Sequence, residues 1–388
     1  MNQRGAVLIL DAGFASVPLQ KAIKASGYTS MVCSGKANDA GMQIADAVFL
    51  QNYADVDAVL AIAREQKITA LSPGVTDVSY LTGSRVACEL GLPGFDTPDV
   101  SEIIFMKDHF RSWAEKKGYP IPGAAHSVEA ARHLSFPLIV KPVDAYSGIG
   151  ITKITELSQL EDAFSLACNA SPSKKGVIET FCEGALHSHS AFIRDGKIAC
   201  EFFVDEYCTV YPWQVNSSSL SQTLTDKMRD RVSECMQSIV TDLNLVDGLL
   251  HTQFIANEEQ FWLIELTRRC PGDLYSHLIE LSTGEAYSLA FVAPFLGLEH
   301  RFSAFRPKHV RAIARHTVSA AQLTRFSGFN FLPLPANIIE VIPLKLPGEP
   351  LKAAPADRAG LIFAEFADYS TLATMTPELK HYLSFITL

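Results

Sequence analysis

No two of the eight cysteines stand in a C-x-x-C pair, so neither a zinc ribbon nor a dithiol redox motif is written into this chain. Scattered thiols in 388 residues read as reduced, and they point to the cytoplasm. Long apolar runs are missing too. The start, MNQRGAVLILDAG, offers the short run AVLIL before Asp11, too little for a secretory leader, and AYSLAFVAPFLGL is broken by Pro294. Neither can cross a bilayer. The chain has no Lys/Arg block, and its 33 basic against 42 acidic residues leave a net charge of −9. That balance excludes a general binder of nucleic acid or anionic membrane. With 19% charged and 48% hydrophobic residues, extensive disorder is excluded as well.

What is present alternates. AVLIL reads as a buried strand, SVPLQKAIKASG as a helix stopped by Gly27, TSMVCS as a second strand, VDAVLAIAREQK as an amphipathic helix and ITALSPG as a third strand. Such alternation implies a parallel α/β sheet. The first strand-to-helix turn, DAGFAS, lacks the later glycines of a dinucleotide fingerprint, which argues against a nicotinamide site. Downstream, SEIIFMKDHFRSWAEKKG predicts one helix capped by Ser101, with Ile103, Met106, Phe110 and Trp113 buried. Lys107 and Arg111 fall at i and i+4 on another face. FPLIVKPVDAYSGIGITKI reads as strand, glycine loop, strand, and HSAFIRDGKIACEFFV as a hairpin turning at Asp195-Gly196. A long amphipathic helix, LTDKMRDRVSECMQSIVTDLNL, precedes a second hairpin, GLLHTQFIANEEQFWLIEL, whose last arm runs into TRRCPG. From about residue 305 the chain turns basic and proline-rich, with strand-like EVIPLKL and GLIFAEF.

Several residues in this frame suit phosphate and metal chemistry. Lys141 ends an apolar strand ahead of Ser147-Gly148-Ile149-Gly150. Glycines let backbone N–H groups approach phosphate oxygens, and a strand-end lysine supplies charge. The same pattern also fits an ordinary hairpin with a snorkelling lysine. Glu179 closes the strand in VIETFCEG, and the apolar link at Phe181 and Cys182 provides the slot a nucleotide base needs. His187 and His189 share one strand face; without a third ligand they do not make a zinc site. They fit either the lining of a polar cleft or hydrogen bonding on a sheet. Gln253 and Glu265 lie on the two arms of the last hairpin, where oxygen ligands suit Mg²⁺. Arg269 then stands where a transferred phosphoryl group needs neutralising.

Taken in order, Lys107 with Arg111, Lys141 before a glycine loop, Glu179 on a linker strand, and Gln253 with IELTRR, the chain resembles the ATP-grasp superfamily. Within it, the chain looks most like the stand-alone amino-acid ligases and the ATP-grasp unit of the carbamoyl-phosphate synthase large subunit. The resemblance runs from residue 1 to about 300. It implies an α/β fold, α+β in the lid. The domains it implies are an N-terminal parallel α/β domain (1–100), a lid with connecting helices (101–185), a larger catalytic domain (186–304) and a C-terminal subdomain packing on it (305–388).

ATP with one or two Mg²⁺ ions, or Mn²⁺ in their place, would be the cofactors. Carried over by residue, Lys107 and Lys141 would contact phosphates, and Ser147, Gly148 and Gly150 would close over the γ-phosphate. Glu179 would meet the adenine amino edge, with Phe181 and Cys182 around the base, and His187 stands where relatives often hold ribose through a Glu. Glu265 would bridge metal, and Arg269 would hold an acyl-phosphate. Gln253 and Thr267 replace the Glu and Asn of many relatives, which leaves the metal count open.

The implied activity is ADP-forming ligation of a carboxylate, from an amino acid or related acid, to an amine through an acyl-phosphate. Two alternatives stay open: a bicarbonate-using carboxylase or carbamoyl-phosphate-type enzyme, and a nucleotide sensor without turnover. Partners would be a small-molecule carboxylate and amine, with no nucleic acid or membrane, in a chain whose relatives often form homodimers. Substrate choice is expected in SPGVTD with Thr76 and Asp77, in residues 207–219, and around Arg311.

Overall fold

The parallel sheet expected at the start of the chain is there, in a computed structural model that describes residues 4–145 and 148–387. Ser147 lies outside the described residues. In this sheet the strands run in the order Ala47–Leu50, Thr29–Ser34, Ala6–Leu10, Ala70–Pro73, all parallel. Ala6–Leu10 is apolar at every position because both its faces are covered, and Val7 to Leu10 are wholly buried. Strand Ala47–Leu50 escapes sequence reading, since as an edge strand it leaves Val48 and Leu50 exposed. Helix Asp77–Leu90 escapes it too, being rich in small polar residues; Thr76 caps it by accepting from the Ser79 N–H.

The single helix expected over 101–118 is two, Pro98–Phe105 and Lys107–Lys117, divided at an extended Met106. Thr97 caps the first and Pro98 opens it, so Ser101 lies inside the helix rather than at its cap. A Thr-Pro pair is the stronger start signal, because proline at the first helical position gives up no hydrogen bond. Lys107 and Arg111 sit on the second helix, as their spacing requires.

Among the described residues, the segment expected as the lid contains a four-stranded antiparallel sheet, in the order Ala124–Ala125, Gly176–Thr180, Leu138–Pro142, Thr152–Ile154. Helix Leu160–Ala170 covers it. The larger body is an eight-stranded sheet ordered Phe261–Thr267, Gly248–Ala256, Ala185–Arg194, Lys197–Tyr207, Ser217–Leu220, Ala312–Val318, Gly360–Phe366, Ala336–Pro343. Helix Asp226–Asp242 supplies Met228, Val232, Met236 and Ile239 to its core. Strands from both sides of residue 304 share this one sheet, so the expected division at that point runs through a continuous hydrogen-bonded ladder. Among the described residues no helix is long and apolar enough to cross a membrane.

Candidate active site

Three elements converge on the charged end of strand Phe261–Thr267. The strand pairs with Gly248–Ala256 so that Gln253 stands opposite Glu265, as the hairpin reading expected. Between Gln253 and Phe254 the register slips and leaves Ile264 as an extra residue. Such a bulge bends a strand and frees its backbone groups. Here the Ile264 carbonyl accepts from Arg111 Nη2 at 2.7 Å, tying the lysine-bearing helix to the hairpin. Glu265, Thr267 and Arg269 then line one small cavity together with Lys107 and Asp77.

Asp77 belongs to the N-terminal domain. It follows strand Ala70–Pro73, which pairs with Ala6–Leu10 on the side away from Thr29–Ser34, so the strand order reverses between these two. Crevices at such points are where open parallel sheets bind ligands. Asp77 Oδ1 accepts from Arg269 Nε at 2.7 Å, so the crevice is continuous with the hairpin end. Thr76, its neighbour, caps the helix and donates to Tyr53 at 3.2 Å.

Lys141 and Glu179 are far more buried than a strand-end lysine and a cleft carboxylate lead one to expect. Lys141 is 5% exposed and Glu179 0%. Lys141 Nζ meets Glu179 Oε2 at 2.5 Å, and Arg111 Nε meets Oε1 at 2.9 Å. The snorkelling-lysine reading is therefore set aside. Glu179, expected at the adenine edge, has both carboxylate oxygens bonded to cations; a buried carboxylate without such partners would be too costly to keep ionised. Burial pushes its pKa up, but Arg111 and Lys141 more than offset this and hold it at about 2. What remains for a base is the backbone of the link at Phe181 and buried Cys182, where Lys153 Nζ stands 3.6 Å from the Phe181 ring centre.

The glycine loop is anchored as well. Gly148 has φ +74°, and a side chain there would strike Trp213 within 2.5 Å. Its carbonyl accepts from the Tyr211 hydroxyl at 3.0 Å, and Lys107 Nζ donates to the Ala145 carbonyl at 3.1 Å. Residues 207–219, read from sequence as a specificity loop, thus pack on Gly148 of the glycine loop through Tyr211 and Trp213.

Two expected residues stand apart. His187 alternates to the face opposite Ser188 and Gln253, packs on Phe254, and bonds Asp205 at 2.9 Å through Nδ1. His189 likewise bonds Glu201 at 2.9 Å. Both are hydrogen-bonded within the sheet, His189 through Nε2 alone, and neither lines the cavity. Arg311 forms a two-pronged pair with Glu365, at 2.7 and 2.8 Å, on the C-terminal strands.

Sequence reading also missed residues on the Gln253 face. Glu206 accepts from Gln253 Nε2 at 2.5 Å, and burial with the nearby Asp273 carboxylate pushes it up to about 7. His251 bonds Ser190 at 2.8 Å, and burial followed by the Arg269 charge lowers it to about 3, leaving a neutral ring at working pH. Arg315 reaches Asp273 from strand Ala312–Val318. No motif marks these residues, because their strands meet only through long-range pairing.

The buried pair makes a direct prediction. Lys141→Met is expected to weaken ADP binding about tenfold or more, and to lower stability by about 1–3 kcal/mol, since Glu179 keeps only Arg111. In the native chain this carboxylate contributes fully above its ordinary 4.5, and the contribution is lost as pH falls through about 2. The substitution moves that loss to higher pH. Calorimetry with ADP and urea unfolding across pH test both parts; unchanged ADP affinity in a folded variant leaves Lys141 a purely structural role.

Residues 106–293 match the family described as carbamoyl-phosphate synthase L chain, ATP binding domain. Over 272 residues the chain is 22% identical to the carbamoyl phosphate synthase large chain of Vibrio vulnificus (strain CMCP6), covering 67% of this chain and 25% of that one. The chain thus spans about a quarter of the length of the curated relatives it matches first. L-amino acid ligase from Bacillus licheniformis superposes with a TM-score of 0.82 at 16% identity, covering 100% of both chains. N5-carboxyaminoimidazole ribonucleotide synthetase from Thermotoga maritima does so at 0.74 and 14%, covering 99% of this chain and 100% of the other. At such identities these likenesses concern the fold alone. Residues 106–293 are thus similar to this ATP-binding domain, and the chain as a whole has a fold like that of these ligases and synthetases.

Proposed function

We propose that the chain is an ADP-forming ligase that joins the carboxylate of an amino acid or related acid to an amine. The observation that carries this reading is the cavity shared by Lys107, Glu265, Thr267, Arg269 and Asp77, which gathers phosphate-binding cations and a metal-binding carboxylate beside the N-terminal crevice. The fold of the Bacillus licheniformis amino-acid ligase, which spans the whole chain, supports it.

The residues fit a Mg²⁺ ion that is shared with phosphates. Glu265 and the Gln253 carboxamide face each other, and among the described residues no cluster of three His, Cys, Asp or Glu forms a closed metal cage. Mg²⁺ binds in this way, through one or two carboxylates plus phosphate oxygens and water. When bound, it neutralises charge on the terminal phosphates. Lys107 and Lys141 would orient those phosphates, and Arg269 would face charge that develops on the transferring group. The carboxylate oxygen of the acid attacks the γ-phosphorus, an O–P bond forms, the β–γ bridge breaks and ADP leaves. The amine nitrogen then attacks the acyl carbon, a C–N bond forms, phosphate departs and the amine releases a proton to solvent. The chain's share in both steps is positioning and charge.

Hydroxylamine tests this order of events. With ATP, Mg²⁺ and the correct acid, it is expected to yield a hydroxamate in amounts equal to ADP. AMP and pyrophosphate as products would overturn γ-transfer, and ADP release with bicarbonate alone would assign the chain to the carboxylases.

A further inference from the structure

The face that carries Gln253 holds a second polar group which the chemistry above does not use. Glu206 pairs across the sheet with Ser218, and Ser218 with Arg315. Residues directly opposite in antiparallel strands project to one face, and each strand step is about 4.8 Å. Glu206 and Arg315 therefore rise from the same face about 10 Å apart, with the short side chain of Ser218 as the floor between them.

The hydrogen bonding of this row is incomplete. Arg315 is 0% exposed, yet only its Nη1 is engaged, by Asp273; its Nε and Nη2 have no partner. Asp273 Oδ1 and Ser218 Oγ are also without one. Glu206, 5% exposed, takes Gln253 on one oxygen and also bonds Ser188, and a carboxylate has room for about four bonds. Buried polar groups are rarely left unpaired, so free donors on a cation beside free acceptors on an anion describe a ligand that brings both charges. A metal ion would satisfy the acceptors and leave the guanidinium unpaired.

We propose that Glu206, Ser218, Asp273 and Arg315 form a subsite for an unblocked α-amino acid, with Glu206 and Asp273 taking its ammonium and Arg315 its carboxylate. The subsite rests on the ligase reading and refines it. A carboxylate held by Arg315 is kept away from the cavity of Lys107, Glu265 and Arg269, so this amino acid is not the one that is activated. It is the substrate that supplies the amine. Its ammonium lies beside Gln253, on the side of the sheet face that leads to Glu265.

Calorimetry on the full chain saturated with ADP and Mg²⁺ tests this, using the unblocked L-α-amino acids with their N-acetyl and carboxamide forms as probes. At least one unblocked amino acid is expected to bind, with both blocked forms about tenfold weaker or more, the size of a lost charged hydrogen bond. Glu206→Gln is expected to weaken the unblocked ligand by about the same factor while ADP affinity holds. The comparison of blocked with unblocked ligands needs no variant and stands if Glu206→Gln fails to fold. Blocked forms that bind as tightly, or no amino acid bound by a chain that binds ADP, would overturn the subsite alone. A chain that binds no ADP would overturn the ligase reading and the subsite with it.

Discussion

Glu265→Gln is expected to reduce turnover about a thousandfold or more, while ADP without metal binds as before. The side chain keeps its size and loses the charge that stands opposite Gln253 and beside Lys107, Thr267 and Arg269. Here a neutral carboxamide already occupies the facing position, so Glu265 is the one carboxylate of the hairpin pair, and its loss leaves two carboxamides. Its charge also helps to hold Arg269 protonated, after burial and Asp77 have acted on that group. The fold should be untouched, since the strand's backbone pairing and the Arg111 bond to the Ile264 carbonyl do not involve the Glu265 side chain. Steady-state ADP release at several Mg²⁺ concentrations measures the effect. Near-normal turnover at ordinary Mg²⁺ would remove Glu265 from the metal site.

The largest loss of stability is expected from the neighbouring arginine. Arg268 and Arg269 adjoin in sequence and do different things. Arg268 is fully buried and donates through Nε to Asp96 at 2.6 Å, and through Nη1 and Nη2 to the Leu249 and Val246 carbonyls at 2.7 Å each. Asp96 also accepts from the Tyr80 hydroxyl at 3.0 Å and from the Val246 N–H at 3.0 Å. One guanidinium thus joins the N-terminal domain to the eight-stranded sheet. Arg268→Ala strands a buried carboxylate and two carbonyls, and is expected to cost about 3–5 kcal/mol. Urea unfolding measures it. A loss below about 1 kcal/mol would mean that water replaces the guanidinium and that the pair is a surface-type contact.

Much of the chain can be read before it is folded. Strand Ala6–Leu10, the helix bearing Lys107 and Arg111, the Asp195-Gly196 hairpin and the arms facing Gln253 with Glu265 all follow from local periodicity and turn chemistry. These signals act within a few residues, so no distant partner is needed to see them. The break at Met106 was hidden because the apolar spacing runs on through it, and the Thr97-Pro98 start lies ahead of the segment read as a helix.

Burial and pairing partners are a different matter. Nothing around Lys141 announces that Arg111 and Glu179 enclose it, and nothing around Arg268 announces that it clamps Asp96. His187 and Glu206 stand on neighbouring strands with equal claim to a site, until strand alternation turns one to Asp205 and the other to Gln253. Register is a property of paired strands, and a slip of one residue exchanges the two faces. Which charges meet was therefore settled by contacts between segments separated by as many as 192 positions, as Arg269 and Asp77 are, and local sequence carries no record of such contacts.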